Sequence, residues 1–598
     1  MFPYLKFLSN YWQKERGKIA LIFVLVVLSQ SFSLTEPYFF AKIIDNFLRN
    51  AQNLSLFPTE AVFFKGLSLL VLGWIGVAFA ARTFKNFQSY LVETVADRVG
   101  IRVFEQAYKH LLALPMAFHS RQKSGEVFRK LSKARDDITS LFSIFYDKIF
   151  QNIFTISVIL IIVLIKSWRI GIPLFGFVPV FFFITWFFTK KIKKTQLEIN
   201  KINEGIFGSS FEAVSHVELV KSFSTEKAEE EKFRHDNALS HKILKKKTFA
   251  FQSLGFAQGT VVNLARVVLL WYGTLLAFQG QLSFGDVILF NFYSFYIYQP
   301  LYELGGIYTK YHEGIAAVDR LDEVLREPVS IKDKPGAIKV EKLQGKLEFK
   351  DVSFAYEPGG RQILKNISFV LEPGRKLALV GISGSGKSTI VKLLFRFYEP
   401  VSGEIFIDNR PIEDYDSQSL RKRLGLVLQD TVLFNTSIAD NIRYGTFEAS
   451  DEKVKSAAKK SSLQNFISKL SEGIKTVVGE RGLKVSGGEK QRIAIARSII
   501  KEPDILVFDE ATSALDSHTE EEIRKNITEV SAGITSVVVA HRFATVVDAD
   551  EIILLKDGEI FERGNHQQLI LQKGEYARIY NLQTQRQHAE EELAGERV

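Results

Sequence analysis

Residues 485–516 read VSGGEKQRIAIARSIIKEPDILVFDEATSALD, and the two ends of this stretch carry complementary chemistry. At the first end Ser486, Gly487 and Gly488 open a helical pattern. A helix start with so little side chain lets backbone N–H groups approach an anion closely. At the second end the apolar run ILVF stops at Asp509 and Glu510. Two acids at a strand end suit a divalent cation, held by Asp509, and a water polarised by Glu510.

An anion to match lies upstream. GISGSGKST, residues 381–389, follows the strand-like LALV and precedes the helical run IVKLLFRF. In that context G-x(4)-G-K-S is a phosphate loop. Gly381, Ser383, Gly384, Ser385 and Gly386 let backbone N–H groups close around phosphate oxygens, with Thr389 completing the loop. Lys387 reaches the β- and γ-phosphates and Ser388 ligates Mg²⁺. A nucleotide with Mg²⁺ is therefore the expected ligand. Around these motifs, β-rich runs (KLEFKDVSF, KLALVG, EIFID, LGLVLQ, SVVVAH, EIILL) alternate with helical patterns, which predicts an α/β domain with a largely parallel sheet.

The first half of the chain is different. Phenylalanine reaches 51 of 598 residues, and 46% of the chain is hydrophobic. Stretches near 19–41, 62–81, 145–165, 170–188, 256–278 and 287–307 have the length and apolarity of membrane spans. Lysine and arginine crowd the long segments after the second and fourth, whereas Lys166 and Arg169 run against that trend. By the positive-inside rule both termini and both long loops are cytoplasmic, in a multi-pass protein of the cytoplasmic membrane. The net charge of +10 thus reads as topology and not as nucleic-acid binding. The absence of cysteine excludes disulfides and thiolate metal sites. Residues 1–18 interleave aromatic and polar side chains, as an interfacial amphipathic helix does. The expected division is a transmembrane domain over 1–325, a linker over 326–345, a nucleotide-binding domain over 346–585 and a polar tail over 586–598.

The ordered set GISGSGKST, VSGGEKQR, ILVFDE, SALD and the histidine of VVVAHR resembles that of the ATP-binding cassette exporters. More narrowly, the chain resembles half-transporters of the lipid A flippase and multidrug type. The resemblance implies an α-helical six-span transmembrane domain followed by an α/β P-loop ATPase with a helical signature subdomain. It also implies roles. Tyr356 stacks on adenine, Gln429 contacts Mg²⁺ and couples to the membrane half, and His541 contacts the γ-phosphate. Asp516 lies in the loop joining the two sites, and Glu480 contacts a cytoplasmic loop. Ser486 and Gly488 bind the ATP held by the opposite cassette, so the chain works as a dimer. Since every hydrolysis residue is present, a homodimer is favoured. The segments from Leu111 and from Glu212 resemble coupling helices.

The cargo is less constrained. Arg266 lies in the middle of the fifth span with Asn263 one turn away, and both are candidates for a substrate cavity. Arg82 matches one position of the basic ring that lipid A flippases use, and Lys148 lies near a second. The span-six position is Tyr302, so the ring is incomplete. The leading expectation is export or flipping of a lipid or amphiphile. Glu489, in place of the usual glutamine, motivates an alternative: glutathione-linked or metal compounds. A third is one subunit of a heterodimeric drug exporter. A soluble regulatory ATPase would have two cassettes and no spans, and a peptide exporter with a leader protease would need a cysteine.

Overall fold

The computed structural model describes residues 11–50, 56, 59–122, 124–329, 331–357, 359–479, 485–510, 517–540 and 546–595. The chain divides into two compact units, Met1–Leu112 with Ser124–Glu327, and Ala113–Lys123 with Pro328–Val598.

The first unit is helical. Four continuous stretches among the described residues are long and apolar enough to cross a membrane: Gln13–Leu48, Glu60–Ala113, Val127–Ser215 and Glu226–Phe278. The third contains two of the expected spans, 145–165 and 170–188. Between them the backbone breaks at Ser167, where φ is −166° and ψ 102°. A Cβ on Gly171 would lie 3.4 Å from Val163 Cγ1. Residues eight apart on one straight helix are about 12 Å apart, so the chain folds back at Ser167. The sixth expected span lies in the helix Phe284–Arg326. That helix falls short of a membrane span on apolarity, because Asn291, Ser294, Gln299, Glu303 and several tyrosines interrupt it.

The two long basic segments expected as loops are helical instead. Glu60–Ala113 runs for 54 residues, roughly 80 Å against a hydrocarbon core of about 30 Å. Its distal part holds together because Val92, Val95, Val99, Val103 and Ala107 bury one stripe at helical spacing. Glu226–Phe278 extends likewise over 53 residues. Only short helices, Met116–Arg121 and Val217–Ser222, remain at the two expected coupling segments.

The charges that ran against the topology trend have partners. Lys166 pairs with Asp286, and Arg169 Nη1 donates to Gln281 Oε1 at 2.5 Å. Asp286 also completes a capping box with Ser283 at the start of the last long helix. Near the N-terminus, Glu15 is buried and bonded by Arg102 at 2.6 Å, and Trp12 packs edge-on against Phe142 at 5.5 Å. The interfacial helix expected over 1–18 is thus packed against other helices from Tyr11 onward, while 1–10 lie outside the described residues.

The second unit has two sheets. Strands β1 (Leu347–Phe354), β2 (Leu364–Leu371), β4 (Ser402–Ile407) and β5 (Arg410–Pro411) form an antiparallel sheet in the order β2-β1-β4-β5. Strands β3 (Lys376–Gly381), β6 (Leu424–Val427), β7 (Ile505–Asp509), β8 (Thr535–Val539), β9 (Glu551–Lys556) and β10 (Glu559–Gly564) form the other, in the order β10-β9-β3-β8-β7-β6. All pairings from β9 to β6 are parallel. Both faces of the central strands are covered, so β3, β7, β8 and β9 are buried almost without alternation, whereas the edge strand β10 alternates. Leu377 and Leu379 face a core shared with the first sheet, and Ala378 and Val380 face the one shared with Ile523, Ile527 and Leu569. A third core, around Ile438, Val454 and Ile493, belongs to a helical subdomain that carries the Gly487–Ile499 helix.

The packed cassette begins before Lys346. Arg396, 2% exposed, donates to Asp333 Oδ1 at 3.0 Å and to the Lys332 carbonyl at 3.2 Å. Leu343 is buried, and Ile338 bridges Tyr415. A fully buried guanidinium needs acceptors, and part of the expected linker supplies them.

Candidate functional site: one edge of the parallel sheet

Parallel strands present their carboxyl ends along one edge, where open α/β sheets bind ligands. Here β3 delivers the 381–389 loop to that edge, β7 delivers Asp509 and Glu510, and β6 ends two residues before Gln429. Strand β8 lies between β3 and β7 and ends two residues before His541. His541 itself, Asp516 and Glu480 lie outside the described residues.

The loop is shaped by its glycines. Gly381 has φ +150° and Gly386 φ +104°. A Cβ on Gly381 would lie 2.3 Å from the Leu555 carbonyl oxygen, and one on Gly386 2.5 Å from Leu364 Cδ2. Gly384 also has a positive φ, +81°, but open space around it. Ser383 and Gly384 are exposed, whereas Ser385 and Thr389 are buried. Lys387 Nζ donates to the carbonyls of Gly381 at 2.9 Å and Ile382 at 3.0 Å, which holds the ammonium over the loop. Burial depresses its pKa, against the opposing pull of Glu510 and Asp509.

Ser388 Oγ donates to Asp509 Oδ1 at 3.1 Å. Burial raises the Asp509 carboxyl above its ordinary range, with the Ser388 bond opposing. Glu510 follows in a left-handed conformation, φ +50°, and its N–H donates to the Val539 carbonyl at 3.0 Å. A non-glycine residue there carries about 1–3 kcal/mol of strain, which fixes the direction of the chain as it leaves β7. Tyr356 is 39% exposed beside the loop helix; its hydroxyl lies 3.1 Å from Thr389 Oγ1 and accepts from Lys392 Nζ at 3.2 Å. Gln429 is exposed.

Ser486 caps the Gly487–Ile499 helix in a capping box, accepting from the Glu489 N–H at 3.3 Å. The Glu489 carboxylate accepts the Ser486 N–H at 2.6 Å and also pairs with its hydroxyl. Gly488 is buried, and a Cβ there would meet Thr519 Cγ2 at 2.5 Å. Gly487 is exposed.

In the helical unit Asn263 and Arg266 lie one turn apart on the same helix but have different surroundings. Asn263 is exposed and is not the partner of Arg266. Arg266 Nη2 donates instead to Asn291 Oδ1 at 3.0 Å, and its guanidinium lies 3.9 Å from the Phe295 ring centroid. Arg82 is exposed and interacts electrostatically with Glu36, and Lys148 pairs with Glu303 at 2.7 Å. Sequence reasoning missed Glu36, Asn291 and Glu303; of these Asn291, between Phe290 and Phe292, is the polar residue in an apolar run that offered a signal.

Residues 19–301 match the ABC transporter transmembrane region and residues 364–513 the ABC transporter domain. The chain is 33% identical over 578 residues to the uncharacterized ABC transporter ATP-binding protein YfiC of Bacillus subtilis, covering 96% of this chain and 93% of that one. It is 34% identical over 596 residues to the mitochondrial iron-sulfur clusters transporter ATM1 of Chaetomium globosum, covering 98% and 97%. The chain belongs to the ABC exporters. Human ATP-binding cassette sub-family B member 6 is 34% identical, covering 98% of this chain and 70% of that protein. A solved bacterial Atm1-family ABC exporter with ATP bound superposes with a TM-score of 0.81 at 31% identity, covering 95% of this chain and 98% of the other.

This exporter is a multi-pass membrane ATPase with one transmembrane region and one cassette, and it uses ATP with Mg²⁺. Its residues fit that ligand. Gly381 and Gly386 have no room for a side chain in this backbone path, the space beside Gly384 is open, and the buried Ser385 Oγ has no hydrogen-bond partner. Ser388 and Asp509 place a hydroxyl and a carboxylate together, the oxygen donor set Mg²⁺ takes. The bound ion would offset phosphate charge.

Proposed function

We propose that two copies of this chain form an exporter of thiol-linked or metal-containing compounds across the cytoplasmic membrane. The observation that carries this reading is full-length similarity to a protein named as an iron-sulfur cluster transporter, at 34% identity with both chains covered almost entirely. The likeness to an Atm1-family exporter supports it. The lipid reading has less behind it, because Arg82 and Lys148, the basic residues offered for phosphate groups, each have a carboxylate nearby.

In the proposed cycle the 381–389 loop holds the phosphates, with Lys387 on the β- and γ-phosphates. Ser388, Asp509 and Gln429 hold Mg²⁺, and Tyr356 stacks on adenine. Glu510 polarises the attacking water, His541 contacts the γ-phosphate, and Asp516 links the two sites. Ser486, Gly487 and Gly488 of one copy close on the ATP of the other. The short helices Met116–Arg121 and Val217–Ser222 carry cassette motion to the spans.

The test is ATPase activity of the purified chain in lipid nanodiscs, with glutathione conjugates and with a lipid A-type glycolipid added separately. Stimulation by the conjugates supports the proposal. Stimulation by the glycolipid alone overturns it in favour of lipid flipping.

A further inference from the structure

Several cations in and beside the spans of this bundle come with carboxylates. Lys148 pairs with Glu303 at 2.7 Å, Lys85 with Asp147 at 3.4 Å and Lys166 with Asp286, and Arg82 lies in the field of Glu36. Arg169, in the short segment between two spans, donates to the neutral Gln281 instead, and Arg266 is a further exception, within a span. Arg266 lies half-buried within the apolar run 256–278 and has no carboxylate partner among the described residues. Its contacts are the Asn291 carbonyl oxygen at 3.0 Å and the Phe295 ring at 3.9 Å, both neutral.

Two donors on these touching side chains are left over. Arg266 Nε and Asn291 Nδ2 are both shielded from solvent and have no hydrogen-bond partner. Rotating the Asn291 amide does not help, since it would set an NH₂ against the guanidinium, donor against donor. An unneutralised guanidinium at membrane depth is costly, and unpaired buried donors add to the cost. A cation kept only for packing would have its charge and its N–H groups answered from within the fold, as Lys148 has. One kind of group answers both needs at once: an anion with acceptor oxygens.

We propose that Arg266 and Asn291 form a receptor for an anionic group, a carboxylate or phosphate, within the membrane unit. Because both donors are shielded, binding turns the Arg266 and Asn291 side chains until Nε and Nδ2 face the anion's oxygens, which accept from them, while Phe295 stays against one face of the guanidinium. The group comes either from the transported solute or from an anionic lipid. Only the solute source rests on the function proposed above; the need for an anion stands on the bundle alone.

The experiment is thermal unfolding of the full-length protein in nanodiscs, wild type against Arg266→Gln and Arg266→Lys. Glutathione disulfide is titrated in neutral phosphatidylcholine discs, and phosphatidylglycerol is added to the disc lipid in a separate series. The wild type is expected to gain several degrees from at least one of these anions. Arg266→Gln should lose that gain while being no less stable than wild type in the neutral discs, and Arg266→Lys should keep part of it. A gain from the disulfide assigns the site to the solute, and a gain from phosphatidylglycerol alone assigns it to lipid. Equal gains in wild type and Arg266→Gln overturn the proposal. So does no gain from either anion, or an Arg266→Gln protein destabilised equally in every condition. If conjugates fail to stimulate the wild-type ATPase, the proposed function falls while the phosphatidylglycerol series still decides the anion site.

Discussion

Ser388 and Asp509, 121 positions apart in the chain, meet at 3.1 Å and join the phosphate loop to the end of β7. The pair defines the expected metal position, since one hydroxyl and one carboxylate oxygen already face each other. Asp509→Asn keeps an acceptor for Ser388 but removes the charge. Turnover with Mg-ATP should fall on the order of 10²–10³-fold, while the melting temperature changes little; steady-state ATPase assays and calorimetry together check this.

Glu510→Gln keeps the size of the side chain and the backbone bond to Val539, and it removes the carboxylate beside the loop. Turnover should fall about 10²–10⁴-fold, the range for a general base, with ATP binding retained. Near-normal hydrolysis would remove Glu510 from that role.

The helix start at Ser486 makes a separate prediction about stability. Ser486→Ala deletes the cap and should cost about 1 kcal/mol. Glu489→Gln retains a side-chain acceptor for the Ser486 N–H and should cost much less. Gly488→Ala should be the most damaging of the three, because its methyl would overlap Thr519. Denaturant unfolding of the three variants gives the order directly.

How much of this was legible in advance differs between the two units. The loop 381–389, Asp509, Glu510 and Ser486 were readable because each motif is local and its chemistry depends on spacing. Their convergence on one sheet edge follows from the parallel strand pattern. The fold-back between the third and fourth spans was also placed correctly, near the polar residues around Ser167. The helical extensions beyond the spans were not read, because charged runs with a weak buried stripe look like loops until Val92, Val99 and Val103 are seen packed. Nor were the partners of Arg82, Lys148 and Arg266, which come from other helices at sequence separations that no local pattern specifies.

Lys501 gives a pH prediction for the cassette. Its ammonium is pushed down to about 8 by burial, from an ordinary value of about 10.4. Charged or neutral, the amine can still donate to the carbonyls of Arg421 and Leu424, both at 2.6 Å. A depressed basic pKa means the unfolded chain holds this proton more tightly. Stability should therefore rise as pH increases through 8 and level off near the unfolded value. Melting temperatures of wild type and Lys501→Met, compared from pH 7 to 10, should converge or cross in favour of the wild type as pH rises. A constant difference would contradict the buried, charge-penalised state.

The proposed activity is ATP-driven export of thiol-linked or metal-containing cargo by two copies of this chain. Its most direct test is uptake into inside-out proteoliposomes containing only this protein. A radiolabelled glutathione conjugate is supplied outside with Mg-ATP, and Glu510→Gln serves as the control. Uptake should require ATP hydrolysis and be absent in the variant. ATP hydrolysis without accumulation of any thiol conjugate or metal complex would contradict it.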